Sequence, residues 1–262
     1  MQALQTASTG MAAQDLHVQV ISNNIANMST TGYKRQRAEF ADLLYEHLRR
    51  IGTASSDQGN ILPVGIDIGS GVRTVGTPRI MTQGSLNQTG NAFDLAIAGE
   101  GFFKIQMPDG TFSYTRDGSF NLDGTGRLVT TQGLLVQPTI TVPQNATAFS
   151  VSVQGQVSVI LQGATTPTIL GQLTITRFIN QAGLLSIGDN LLQETPASGP
   201  PQDGLGATNG AGSVQQATLE QSNVDAVTEI TDLIAAQRAY EMNAKVVTAA
   251  DQMLSAVIAL QR

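Results

Sequence analysis

The side chains able to do chemistry are few in this chain and poorly spaced for it. It has two histidines, His17 and His47, and no cysteine. Neither histidine has an Asp or Glu at i+4, so the helical spacing that puts two ligands on one metal is missing. Each reads as a satisfied or exposed imidazole. Asp94, Asp109, Asp117 and Asp123 stand beside glycines or at the ends of short β-like runs, as turn residues do. A glycosidase would need two facing carboxylates, and nothing in the spacing pairs these. Gly99-Glu100-Gly101 and Gly124-Thr125-Gly126 are fragments of phosphate loops that neither complete the pattern nor open a helix. Asn121 to Gly126 begins like a calcium loop but lacks the closing Glu and the flanking helices. The reading is therefore of turns, with no catalytic residue, no cofactor, no metal site and no enzyme.

What the sequence does specify is elements that associate. Leu4, Met11, Val18 and Ile25 recur every seven residues, with Ala7, Gln14, Ile21 and Met28 between them. This is the a/d seam of a helix that meets another helix. At the other end Ala226, Ile230, Leu233, Gln237, Tyr240, Ala244, Val247, Asp251, Leu254 and Ile258 form a similar stripe. A second stripe lies beside it: Ala239, Met242, Val246, Ala249, Met253, Ala256 and Leu260. One seam is explained by an antiparallel helix pair closing a domain, whereas two ask for a further neighbour.

Composition narrows the classes. The chain has 262 residues, 41% hydrophobic and only 13% charged, with a net charge of −6. That is enough length for about two domains and a real core, and an acidic balance gives no footing for binding nucleic acid through phosphates. No run approaches the ~18 consecutive apolar residues of a membrane span, so no membrane insertion is expected. No basic stretch precedes an apolar core at the N-terminus, where Gln14, Asp15 and His17 interrupt the run, so a secretory signal peptide is not expected either.

Between the helical ends the pattern is short β-branched runs broken by turns. The fold class expected is α+β: terminal helices pairing as a coiled-coil-like domain, with an inserted antiparallel β domain. Residues 1–45 hold the N-terminal helix (about Leu4 to Met28), a basic extended stretch from Lys34 to Arg37, and the start of an amphipathic helix over Phe40 to Leu48. Residues 46–71, rich in Gly, Ser, Asp, Asn and Pro, read as a long loop with extended character. The β domain covers 72–195, a linker and extended return 196–221, and the C-terminal helix 222–262.

Three blocks carry a family resemblance. The first runs from Ile21-Ser22-Asn23-Asn24-Ile25-Ala26-Asn27-Met28 through Ser29-Thr30-Thr31-Gly32-Tyr33-Lys34. The last is Ser222-Asn223-Val224-Asp225, followed by Ala236-Gln237-Arg238-Ala239-Tyr240-Glu241-Met242-Asn243-Ala244-Lys245. Between them lie Ala98 to Phe103 and Tyr114-Thr115-Arg116-Asp117-Gly118-Ser119-Phe120. Over essentially its whole length the chain resembles the bacterial flagellar basal-body rod and hook proteins. The signature falls on Asn23, Asn24, Ala26, Asn27, Gly32, Tyr33, Lys34, Gln237, Arg238, Ala239 and Tyr240.

The resemblance implies a structural subunit that polymerises helically into a hollow rigid drive shaft, carrying torque across the periplasm to the hook. Length, Leu43-Leu44-Tyr45 and the long segment after it favour the distal rod. A proximal rod member with a similar β domain is the alternative within the family. The implied partners are further copies of itself, proximal rod proteins, the hook protein, the surrounding basal-body rings, a rod cap and the flagellar type III export apparatus. Localisation would be the periplasm-spanning rod, reached without a cleaved signal peptide. Phe40 and Leu44 resemble the family's export motif. The residues expected to join subunits are Leu4, Met11, Val18, Ile21, Ile25, Ile230, Leu233, Tyr240, Val247, Leu254 and Ile258. A reading from another class, a secreted binding or enzymatic module that uses its helices only to dimerise, predicts a closed oligomer rather than open-ended growth.

Overall fold

A computed structural model describes residues 2–49, 64–208 and 210–260. The chain divides into two compact units, one holding 1–25, 36–78 and 225–262, the other 26–35 and 79–224. The class is the α+β one expected, with a helix at each end and antiparallel strands between.

The first unit is built on two helices, α1 (Gln2–Ala26) and α2 (Ala226–Leu260). α1 stops two residues before the expected Met28. There a turn takes over: Thr30 N–H bonds the Asn27 carbonyl, and Gly32 adopts a φ of 68°. α2 begins where Asp225 caps it, its Oδ1 accepting the N–H groups of Val227 at 2.9 Å and Thr228 at 3.2 Å. This satisfies donors that the first turn leaves without an intrahelical acceptor. No helix among the described residues is long and apolar enough to cross a membrane.

Strands make up the rest of the first unit: β1 (Glu39–Asp42), β2 (Tyr45–Arg49), β3 (Ile66–Gly69) and β4 (Val72–Gly76). β1 pairs with β4 and β2 with β3, both antiparallel, so 39–49 and 66–76 form one continuous two-stranded arm. This corrects the helix expected over Phe40 to Leu48. Its local apolar spacing was compatible with a helix, but the partner strands Ile66–Gly69 and Val72–Gly76 supply ladder hydrogen bonds and β-branched neighbours that settle it as strand. The part of the expected 46–71 loop that is described is mostly strand; 50–63 lies outside the described residues.

The second unit is the β domain. A short β5 (Leu86–Gln88) is followed by β6 (Leu95–Ala98), β7 (Phe102–Gln106) and β8 (Phe112–Thr115). Next come β9 (Phe120–Leu122), β10 (Leu128–Thr130) and β11 (Leu135–Gln137). β12 (Ala146–Val151), β13 (Gln156–Leu161) and β14 (Thr168–Gln172) form their own three-stranded sheet. β15 (Ile175–Arg177), β16 (Leu185–Gly188), β17 (Leu191–Gln193) and β18 (Gln202–Gly204) complete the large sheet. β19 (Ser213–Gln216) pairs with β6, and β20 (Thr218–Glu220) with β5.

Among the described residues the large sheet has nine strands, its main path running β16-β17-β8-β7-β11-β10-β9. Period-two alternation sorts β7 between two cores. Phe103 and Ile105 join Leu95, Ile97, Phe120, Leu128, Val157, Leu173 and Ile175. Phe102 points the other way, to Tyr114, Phe178, Leu184 and Leu192. Each fully buried Phe, Leu or Ile contributes about 1.5–3 kcal/mol, so this unit has the larger store of apolar burial.

Candidate assembly surfaces

The helix pair is antiparallel in constant register. A Cβ placed on Gly10 would meet the Asn243 amide at 2.9 Å, and Asn24 Nδ2 donates to Glu229 Oε2 at 3.1 Å. The interval from Gly10 to Asn24 is the same as that from Asn243 back to Glu229. Small side chains allow the approach: Ala7 and Ala13 are buried on α1, Ala236 and Ala250 on α2. Buried Asn24 also accepts the Gln36 N–H at 3.0 Å and donates to the Gln36 carbonyl at 2.9 Å, tying the chain beyond the helix back onto it.

On this register Gln2 stands opposite Asp251, so the last two and a half turns of α2 run past the start of α1 by about 14 Å. At the other end Ala26 and Ala226 are nearly level. The overhanging turns carry Met253, Leu254 and Ile258, all exposed. A second uncovered face lies about a quarter turn round α2 from Ala236, Asn243 and Ala250. It is the second stripe read from the sequence, with Met242 61%, Val246 47% and Met253 63% exposed.

The β arm lies along α1. Phe40 packs edge-on against His17 with ring centroids 6.1 Å apart, the Val72 N–H reaches Thr9 Oγ1 at 3.3 Å, and Glu46 meets Gln2. From His17 to Gln2 is about 22 Å of helix, and from Phe40 to Glu46 about 20 Å of strand, so the two rises keep pace. Gly71, at φ 117°, faces Thr9 where any Cβ would clash. Beyond Glu46 the arm passes the end of α1, as α2 does. Leu44, Tyr45, Leu48, Val64 and Ile66 are exposed on it, and His47 Nδ1 joins Asp67 Oδ1 across the strands at 2.6 Å. A two-stranded ribbon this bare is marginal by itself.

In the second unit the resemblance blocks meet at one buried node. Lys34 Nζ lies 2.6 Å from Glu220 Oε1 and donates to the Thr82 carbonyl at 2.8 Å. Arg116 Nη1 lies 3.3 Å from Glu220 Oε2, its Nη2 donates to the Gly99 carbonyl at 2.7 Å, and the guanidinium sits over the Phe102 ring. Burial pulls both cations below their usual pKa values, against the pull of Glu220. Gly32 N–H bonds the Glu220 carbonyl at 2.8 Å, Asn223 Oδ1 accepts the Arg35 N–H at 2.7 Å, and Asn190 Nδ2 donates to the Thr31 carbonyl at 3.0 Å. The node fixes the segment 26–35 into the β unit.

The sequence-derived joining residues fall into two groups. Ile21 is buried, and Leu4, Met11, Val18, Ile25, Leu233 and Val247 are partly buried. Ile230, Tyr240, Leu254 and Ile258 are exposed. Of the signature, Asn24, Gly32, Tyr33 and Lys34 are buried and Asn27 supports the turn, while Asn23, Ala26, Gln237, Arg238 and Tyr240 lie on helix surfaces and Ala239 is half covered. Phe40 is half-buried and Leu44 fully presented. Sequence reasoning missed the small-residue contact at Ala13, Ala236 and Ala250, which alanine spacing alone announces weakly. It quoted Lys34 and Arg116 without joining them through Glu220; a Lys and an Arg inside otherwise apolar or turn-forming blocks were the available signal.

Comparison with known proteins agrees along the whole chain. Family profiles described as flagella basal body rod protein, flagellar hook protein FlgE/F/G D1 domain, and flagellar basal body rod FlgEFG protein C-terminal match residues 4–34, 96–159 and 215–260. The chain is 52% identical to the flagellar basal-body rod protein FlgG of Caulobacter vibrioides, with 100% of each chain covered. It is 48% identical to that of Buchnera aphidicola from Acyrthosiphon pisum (96% of each chain) and 51% to that of Agrobacterium fabrum (98% of each).

Proposed function

Since the chain belongs to the FlgG family of flagellar basal-body rod proteins, we propose that its helix pair and β arm are the parts that join one copy to the next. It is a structural subunit of the flagellar basal-body distal rod. The observation that carries the joining role is the step at the end of the helix pair. Leu254 and Ile258 continue the seam face of α2 beyond the point where α1 can cover them, and Leu48 and Ile66 on the arm pass the same point. An apolar seam that outruns its own partner is completed by a second copy, which makes the contact heterologous and growth open-ended.

In this reading Leu4, Met11, Val18, Ile21, Ile25, Leu233 and Val247 hold the helices of one copy together. Ile230, Tyr240, Leu254 and Ile258, with Met242, Val246 and Met253, meet neighbouring copies. The chain performs no catalysis; its contacts are with further rod and hook proteins, the surrounding rings, a rod cap and the type III export apparatus. Phe40 packs on His17 once folded, so a Phe40/Leu44 export motif is fully presented only by the unfolded chain.

The test is negative-stain microscopy of the purified chain at stepwise increasing concentration. Tubular filaments above a threshold support the open-ended contact. Particles of one size at every concentration would replace it with a closed oligomer.

A further inference from the structure

From Leu128 to Thr176 the sequence contains no Asp, Glu, Lys, Arg or His, although the chain as a whole is 13% charged. That stretch supplies the entire sheet β12-β13-β14. Its inner face belongs to the core through Val151 and Val157, with Phe149 packed against it. Its outer face is uncovered: Ser150, Ser158 and Ile169 lie abreast across the three strands, with Ala148 and Ile160 paired in the next row. Ile169 is 61% and Ile160 37% exposed, Ser150 and Gln156 are exposed, and Ser158 is half-exposed. An ordinary solvent face of a two-layer β domain carries Lys and Glu for solubility. This one is small, neutral and partly apolar.

We propose that the outer face of β12-β13-β14 packs against a second copy of this chain in the rod. The inference rests on the rod reading but concerns a different surface from the helices. Each copy carries a net charge of −6, so copies brought together repel one another on balance, and most where carboxylates face carboxylates. A β surface with no ionisable group is one that identical acidic chains can bring together without that repulsion and without desolvating a charge. The exposed Ile160 and Ile169 supply apolar area, and Ser150 and Ser158 admit close approach.

The experiment uses the full-length chain, expressed in a bacterium lacking its own rod gene, with basal bodies isolated and rods counted by electron microscopy. Three double variants are compared: Ser150→Asp/Ser158→Asp, Ser150→Lys/Ser158→Lys, and the uncharged, similarly sized Ser150→Asn/Ser158→Asn. Circular dichroism of each purified chain checks its fold. The expected result is that both charged pairs cut rod yield by at least about tenfold while the Asn pair leaves it near wild type. Rods that do form with the charged pairs shed subunits at low salt and are steadied toward ~1 M salt, where the Debye length is about 3 Å. Wild-type rod yield from both charged pairs would overturn the proposal. So would normal rods in cells that no longer swim, which would assign the face to a stationary ring. Wild-type basal bodies that lack this chain would instead defeat the rod reading itself.

Discussion

Lys34 and Glu220, 186 positions apart, close a buried ion pair at 2.6 Å, and Arg116 shares the same carboxylate from the other side. One anion thus serves two cations, each drawn from a different block of the sequence. The segment leaving α1, the strand β8 and the return strand β20 converge there.

Removing the anion is expected to cost more than removing a cation. Glu220→Gln strands two buried positive charges and should destabilise the β unit by about 3–5 kcal/mol, the range for breaking a buried pair. Lys34→Met leaves Arg116 and Glu220 balanced and should cost clearly less. Urea unfolding followed by circular dichroism gives the order; equal losses would show that the carboxylate is not the shared centre.

Gly32→Ala tests the close approach of the two segments. The position has a φ of 68°, and an added Cβ would lie 2.7 Å from the Asp117 nitrogen and 2.8 Å from the Arg116 carbonyl carbon. Both are backbone atoms that cannot step aside. A loss of at least about 2 kcal/mol is expected from strain plus overlap, read as a lowered thermal midpoint.

Tyr114 predicts an alkaline limit. Burial first, then Glu194 and Asp203, push its phenol up to about 12. Below pH ~10 both states hold the proton. As pH rises from there toward about 12, the unfolded chain gives it up while the folded chain keeps it. The unfolded state then binds fewer protons, and stability falls as pH rises. Tyr114→Phe should flatten that decline in alkaline unfolding curves, and should remove the latest step from an ultraviolet titration of the folded chain.

Two substitutions on α2 should separate folding from joining. Ala236 is buried, so Ala236→Leu should overpack the helix pair and cost about 1–3 kcal/mol in the single chain. Leu254 lies beyond α1, so Leu254→Asp should shift single-chain stability by less than about 0.5 kcal/mol yet abolish rods. Normal rods from Leu254→Asp would remove the overhang from the joining surface.

The sequence showed most plainly what repeats or punctuates. The heptad spacing from Leu4 to Ile25 and the two stripes of α2 announced helices, and turns such as Pro108-Asp109-Gly110-Thr111 marked the strands, because both signals are local. Phe40 to Leu48 misled because apolar spacing alone does not separate a short helix from a strand whose partner lies beyond a long connection. Beside the seam residues the helix contact uses Ala13, Ala236, Ala250, Gly10 and Asn243, which carry little hydrophobic signal. The Lys34–Glu220–Arg116 node depends on three distant segments arriving together, which no window of sequence contains.

A helix pair level at Ala26 and Ala226 but stepped at Leu254 and Ile258 has two unlike ends. Copies stacked through that step all point the same way, so the two tips of the stack expose different surfaces. In the proposed stack one tip offers the bare overhanging turns of α2, and the other offers the level end at Ala26 and Ala226. Direction is then a property of the assembly from its first contact onward, and whatever adds to, anchors or stops the stack can tell which end it has met.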